Sequence, residues 1–323
     1  MKITKFYLFL LFSLTIVWGI SSISWFSMWM SLEMNSMMFI PLMWLNSYQS
    51  QIESTMKYFL MQSISSMLLI GLSISMNLPL YLYGVNMMFY MLFFTLLLKI
   101  GMFPFLFWYV EVINKCTFLS MLLIMTVQKL LPIVMMSYIL YSMEYKILFI
   151  LISFNALMGA VLGLNQTMIK KIMALSSVVH MSWLVMSIIS GYSIFMSYFF
   201  IYSLIIFCLI NYIKWFSIST FMSLLLMKDL LFSMNILSLA GLPPFSGFIM
   251  KWVVIEKLMS MDMFMISVIL ILSSLISLYF YLRLMMTVPM ISFMKMKVLI
   301  INKYYFNFLM LINLMILPLL IYL

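Results

Sequence analysis

Five side chains in this sequence have the type and setting for proton transfer. Lys99, Lys129 and Lys251 each fall inside an apolar run, Glu33 falls inside another, and His180 is the only histidine. A lysine at the centre of a bilayer costs about 2.5–3.5 kcal/mol on insertion scales, so it persists only if paired, hydrated or neutral. Lys99 and Lys129 lie more than a dozen residues from the starts of their runs, about 18 Å deep at 1.5 Å per residue. One reading is a set of structural ion pairs that hold helices together. The other is a relay: burial penalises the charged form of such a group and an opposite charge beside it restores that form. A Glu–Lys pair therefore changes protonation when its partner moves. His180, with an unperturbed pKa of about 6.5, suits the same task. It reads equally as a satisfied core residue, and alone it cannot make a metal site. The sequence has no paired histidines for haem, no cysteine cluster and no glycine-rich nucleotide loop.

These groups sit in an unusual medium. Of 323 residues, 67% are hydrophobic and 7% are charged, where a soluble domain carries about 25% charged residues. Soluble enzymes are excluded. The net charge of +10 does not indicate nucleic-acid binding, because its 17 Lys and Arg are scattered singly between apolar runs. Cys116 and Cys208 are the only cysteines, which excludes a disulfide scaffold. The remaining class is an all-α polytopic membrane protein, since the runs are continuously apolar rather than alternating.

About eleven transmembrane helices are predicted, near 6–22, 25–45, 56–76, 85–109, 117–141, 146–164, 172–190, 193–213, 232–255, 263–286 and 305–322. The first is read as a retained helix rather than a signal peptide, because no small-residue cleavage site follows it. The segment 214–231 is amphipathic enough to lie along the membrane surface. With this count, twelve basic residues fall on the side of the N-terminus: Lys2, Lys5, Lys57, Lys115, Lys170, Lys171, Lys214, Lys228, Arg283, Lys295, Lys297 and Lys303. Only Lys146 and Lys257 fall on the other. That asymmetry puts the N-terminus in the compartment where the chain is made and the C-terminus across the membrane.

Two of the predicted helices are interrupted beside a lysine. Pro104 breaks the fourth just after Lys99, and Gly241, Pro243 and Pro244 break the ninth just before Lys251. Proline removes a backbone donor, and in lipid the freed carbonyls need protein or water partners. Breaks five helices apart suggest two five-helix repeats, 1–141 and 142–287, inverted relative to each other, followed by a C-terminal helix in 288–323. This is a plan used by ion-coupled transporters.

Seven motifs carry a family resemblance. They are Trp29-Met-Ser-Leu-Glu33-Met-Asn35, Lys57-Tyr-Phe-Leu-Met-Gln62, Lys99-Ile-Gly101-Met-Phe-Pro104-Phe-Leu106-Phe-Trp108 and Gln128-Lys129-Leu-Leu-Pro132, then Gly163-Leu-Asn165-Gln166-Thr167, Ser176-Ser177-Val-Val-His180 and the stretch from Leu237 through Gly241 and Gly247 to Lys251-Trp252. In this order the chain resembles the antiporter-like subunit family of mitochondrial NADH dehydrogenase (complex I), in its subunit 2 branch. It departs from the family at Ser31 for Gly, at Leu106 for His and at Val110 for Pro, with Glu111 kept. A proton step assigned to that His must here use water or another group.

The resemblance implies roles. Glu33 and Lys99 correspond to the input Glu–Lys pair, Lys129 to the central lysine, Lys251 to the output lysine and His180 to the polar axis between them. It implies the inner mitochondrial membrane with the N-terminus in the matrix, the other membrane-arm subunits as partners, including the other antiporter-like ones, and contact with phospholipids such as cardiolipin. It implies no cofactor in this chain, with NADH, FMN, iron–sulfur clusters and ubiquinone held by other subunits. Two alternatives remain: a free-standing proton/cation antiporter with the same lysines, and a membrane-arm scaffold in which the lysines are only structural.

Overall fold

In the computed structural model, residues 2–44, 49–75, 85–140, 143, 145–216, 220, 230–243 and 245–286 are described. Thirteen helices occupy them: α1 (Lys2–Ser21), α2 (Trp25–Trp44), α3 (Gln49–Ser75), α4 (Val85–Ile100), α5 (Leu106–Lys115), α6 (Phe118–Met125), α7 (Val127–Leu140), α8 (Tyr145–Leu164), α9 (Ile169–Ser190), α10 (Tyr192–Trp215), α11 (Leu230–Ala240), α12 (Ser246–Ser260) and α13 (Phe264–Met286). Among the described residues the only β pairing is an isolated bridge between Met168 and Thr220. Among the described residues, seven helical stretches are long and apolar enough to cross a membrane. The chain is a polytopic helical membrane protein. The predicted C-terminal span at 305–322, most of the amphipathic segment 214–231, Pro244, Lys228 and the lysines at 295, 297 and 303 lie outside the described residues.

The chain divides into two compact units, one up to Leu151 and one from Ile152. In the first, α3 packs against α2, α4 and α5, and α7 packs against α4, α6 and α1. In the second, α9 is the central helix, in contact with α10, α12 and α13, while α11 packs against α10, α12 and α13. The serines of α9 are satisfied within the helix: the hydroxyls of Ser176 and Ser177 donate to the carbonyls of Met173 and Ala174, each at 2.7 Å. A hydroxyl bonded within its own helix can be buried in an apolar medium at little cost. Arg283, the only arginine, forks onto the end of α8, its Nη1 and Nη2 donating to the carbonyls of Leu164 (2.6 Å) and Gln166 (2.8 Å). Terminal carbonyls that the helix leaves unbonded are capped in this way.

Both expected breaks are present, and they have the same backbone. α4 ends at Gly101 with φ 77°, and α11 ends at Gly241 with φ 78°. At the first, the amides of Gly101 and Met102 both donate to Leu97 O (2.9 and 3.0 Å); at the second, those of Gly241 and Leu242 both donate to Leu237 O (3.1 and 3.3 Å). This is a glycine-terminated helix closure, and it needs a left-handed residue that only glycine adopts freely. A third interruption was not expected. The span predicted at 117–141 is two helices, α6 and α7, separated at Thr126. Thr126 donates its hydroxyl to Leu122 O (2.7 Å), and the Lys129 amide turns back to Thr126 O (3.2 Å). The break was hidden because Thr126 sits in an unbroken apolar run with no glycine or proline before it. Pro132 lies in the following helix and offers no donor to the Gln128 carbonyl.

Candidate functional site

The breaks place the lysines at helix ends. Lys99 is in the last turn of α4, where the helix dipole is negative and a cation is favoured by about 0.3–1 kcal/mol. Because of the Thr126 interruption, Lys129 falls in the first turn of α7, where the dipole opposes positive charge. Lys251, in the second turn of α12, extends its Nζ to Ala240 O, the last carbonyl of α11, at 2.8 Å. It too therefore sits at a negative helix end.

Lys99 and Lys129 are buried and share one small cavity in the first unit. Its volume is about 20 Å³, roughly the space of one water. Both lysines line it, with Ser36, Tyr58, Gln62, Tyr109 and Gln128 as its polar wall. Gln62 Nε2 donates to the Lys99 carbonyl at 3.0 Å and so caps the broken end of α4. Lys129 Nζ lies over the Tyr109 ring, 4.7 Å from its centroid. Asn35 donates to Gln128 across 3.4 Å and ties α2 to α7. Asn35 Oδ1, Gln128 Nε2 and Glu33 Oε2 are buried with no hydrogen-bond partner, so this region is rich in polar groups able to hold a proton-carrying water. The Gln62 cap gives a direct expectation. Gln62→Leu leaves a buried carbonyl unbonded at a cost of about 1–3 kcal/mol; thermal inactivation of the assembled protein should shift to lower temperature.

Glu33 is brought to this region but not into ion-pair contact with Lys99. Its helix neighbours Leu32 and Ser36 line the cavity, and Glu33 itself is within electrostatic range of Lys99. Ion pairs lie elsewhere: Lys57–Glu111 at 2.7 Å, Lys57–Glu53 at 3.1 Å and Lys115–Glu53 at 2.5 Å.

In the second unit, Lys251 Nζ is 5.8 Å from the centroid of the Trp183 ring. A largely apolar recess of about 520 Å³ borders it, with Trp183, Lys251 and Glu256 in its wall. His180 lies three residues before Trp183 on α9, buried, with Nδ1 3.0 Å from the Tyr198 hydroxyl and its ring 5.1 Å from that of Tyr202. The structure thus groups Lys99 with Lys129 in one unit and His180 with Lys251, through α9, in the other. Sequence reasoning missed Tyr109, Tyr198 and the Asn35–Gln128 contact. Asn35, Gln62 and Gln128 did stand inside recognised motifs, which was the available signal. The two tyrosines gave none.

Comparison with known proteins agrees over most of the chain. A family profile described as NADH:quinone oxidoreductase/Mrp antiporter, TM, matches residues 22–277. The sequence is 38% identical over 291 residues to NADH-ubiquinone oxidoreductase chain 2 of Anopheles gambiae, covering 85% of this chain and 83% of that one. It is 33% identical over 276 residues to the protein of the same name in Gallus gallus, covering 82% and 80%. In structure it is similar to a chain of respiratory complex I from Thermus thermophilus with bound aureothin, with a TM-score of 0.83, 21% identity, and 98% of this chain and 77% of that one covered.

Proposed function

The chain belongs to the NADH-ubiquinone oxidoreductase chain 2 family, and from that premise we propose that it translocates protons as an antiporter-like subunit of the membrane arm of NADH:ubiquinone oxidoreductase. The observation that carries this reading is the cavity shared by Lys99 and Lys129. Two buried amines on one water-sized space can exchange a proton through a single water, which neither could do alone. The dipole arrangement gives the exchange a direction. A proton rests more easily on Lys99, at the negative end of α4, than on Lys129, at the positive end of α7. A charge change at Glu33 or beyond shifts that balance; in the second unit, His180 and Lys251 supply further acid–base groups.

The energy scale is adequate. A swing of two to three pH units in proton affinity corresponds to about 2.7–4.1 kcal/mol, against about 2.3 kcal/mol per charge moved through 100 mV. The chain itself supplies only acid–base groups; NADH, FMN, iron–sulfur clusters and ubiquinone belong to other subunits. Its place is the inner mitochondrial membrane, with the N-terminus in the matrix, the C-terminus in the intermembrane space, the other membrane-arm subunits as neighbours, and phospholipids such as cardiolipin around it. The paired breaks at Gly101 and Gly241, alike in φ and hydrogen bonding, support two repeated units.

The test is Lys99→Met in the intact complex, reconstituted in sealed vesicles. Uncoupled NADH oxidation should be retained while protons pumped per electron fall. Normal assembly with unchanged stoichiometry would overturn the reading.

A further inference from the structure

A second space lies on the other side of one side chain. A crevice of about 290 Å³ between α3 and α5 is lined by Lys57, Leu60, Met61, Trp108 and Glu111. Trp108 also lines the cavity that holds Lys99 and Lys129. It is only 8% exposed, whereas the Lys57 and Glu111 side chains in the crevice are 38% and 56% exposed. A single indole therefore separates partly exposed charged groups from the buried lysines. Its ring is set between Tyr58 (6.4 Å) and Tyr109 (6.0 Å), and its Nε1 is buried with no hydrogen-bond partner. No hydrogen bond of its own thus fixes the indole against rotation. At the broken helix itself, Leu106 stands where the resemblance leads one to expect a histidine, and it is 1% exposed.

We propose that this crevice is the proton entrance of the first unit, with Glu111 as the collecting carboxylate and the Trp108 indole as the gate. The inference rests on the relay reading above. A proton binds a Glu111 carboxylate oxygen at the surface, leaves it for a water in the crevice, and reaches the lone pair of Lys99 or Lys129 when the indole swings aside. Only O–H and N–H bonds form and break, and water is the sole co-reactant. The charges facing Glu111 form a chain of ion pairs. Lys57 holds Glu111 at 2.7 Å and Glu53 at 3.1 Å, and Lys115 holds Glu53 at 2.5 Å. When Glu111 is protonated, Lys57 shifts to Glu53 and no cation is left unpaired. Tyr58 and Tyr109 are the other titratable groups beside the gate.

The experiment compares Glu111→Gln, Trp108→Ala and the double variant in the intact complex in vesicles, across pH. Glu111→Gln should slow coupled turnover by about tenfold or more and flatten its pH profile, with uncoupled oxidation kept. Trp108→Ala opens the wall, so the double variant should recover coupled turnover, which a purely structural carboxylate would not allow. An unchanged rate and pH profile in assembled Glu111→Gln overturns the proposal. If that variant does not assemble, Met61→Cys replaces it: reaction with a water-soluble maleimide supports an aqueous crevice, and no reaction overturns it. Pumping lost in Lys99→Met but intact in Glu111→Gln would remove the entrance alone. Pumping intact in both would remove the relay beneath it.

Discussion

Lys129→Met should abolish proton transfer through this chain while leaving the complex assembled. Methionine fills nearly the same volume and is at home among apolar helices, so the packing of α7 is kept. What disappears is one of the two lysines that line the shared cavity. A positioned acid–base group contributes about 10²–10⁴-fold to a proton-transfer step, so flux through this path should drop below detection against the rest of the pump. The measurement is external pH change per NADH oxidised in sealed vesicles. The companion Lys129→Arg separates relay from scaffold. A guanidinium keeps the charge and the contact over the Tyr109 ring but does not release its proton in a protein. If Lys129 carries protons, arginine fails as completely as methionine. If it is only a structural cation, arginine restores normal pumping, and that result would reject the role.

The second large effect is on stability. Gly101→Ala should prevent assembly. At φ 77° an L-residue costs about 1–2 kcal/mol. A Cβ there would also stand 2.5 Å from Tyr109 Cβ and 2.9 Å from its Cγ. Those atoms sit close to the α5 backbone and cannot swing away, so α5 must move off α4, at about 1–3 kcal/mol more. Gly241→Ala has the same dihedral problem, with φ 78°, but the atoms nearest its Cβ are all of the Lys251 side chain, with Cδ and Nζ at 3.0 Å. A flexible chain end can retreat. Gly241→Ala should therefore assemble and pump poorly, because Lys251 Nζ is pushed from its carbonyl. Blue-native electrophoresis for assembly and vesicle pumping for activity distinguish the two. Equal assembly of both variants would contradict the steric argument.

The two breaks also show how far a sequence carries. Lys99 to Pro104 and Gly241 to Pro243 announce their own geometry, because helix termination is local: glycine closes the turn, and proline cannot continue it. The spans are legible for a similar reason, since a long apolar run in lipid has no option but to satisfy its backbone within a helix. The buried lysines and Glu33 stood out because charge is scarce in this chain. The Thr126 interruption was not legible, since a threonine in an apolar run has no obligatory effect on the backbone.

What surrounds the lysines was decided only by tertiary structure. The Asn35–Gln128 contact joins residues 93 apart, and Trp108 stands between two spaces because α5 lies against α3. The physical reason is the medium. In water, the apolar face of a helix reveals its inside. In a bilayer, both faces are apolar, and sequence no longer tells core from periphery. In an 18-residue stretch of Ile169–Ser190, 94% of the residues are buried, and in Thr4–Ser21 only 17%, though both read simply as apolar helices. The sequence by itself thus determined the membrane class, most of the helices, the two breaks at glycine and proline, and the candidates for carrying a proton. Packing alone decided which of those groups share a space.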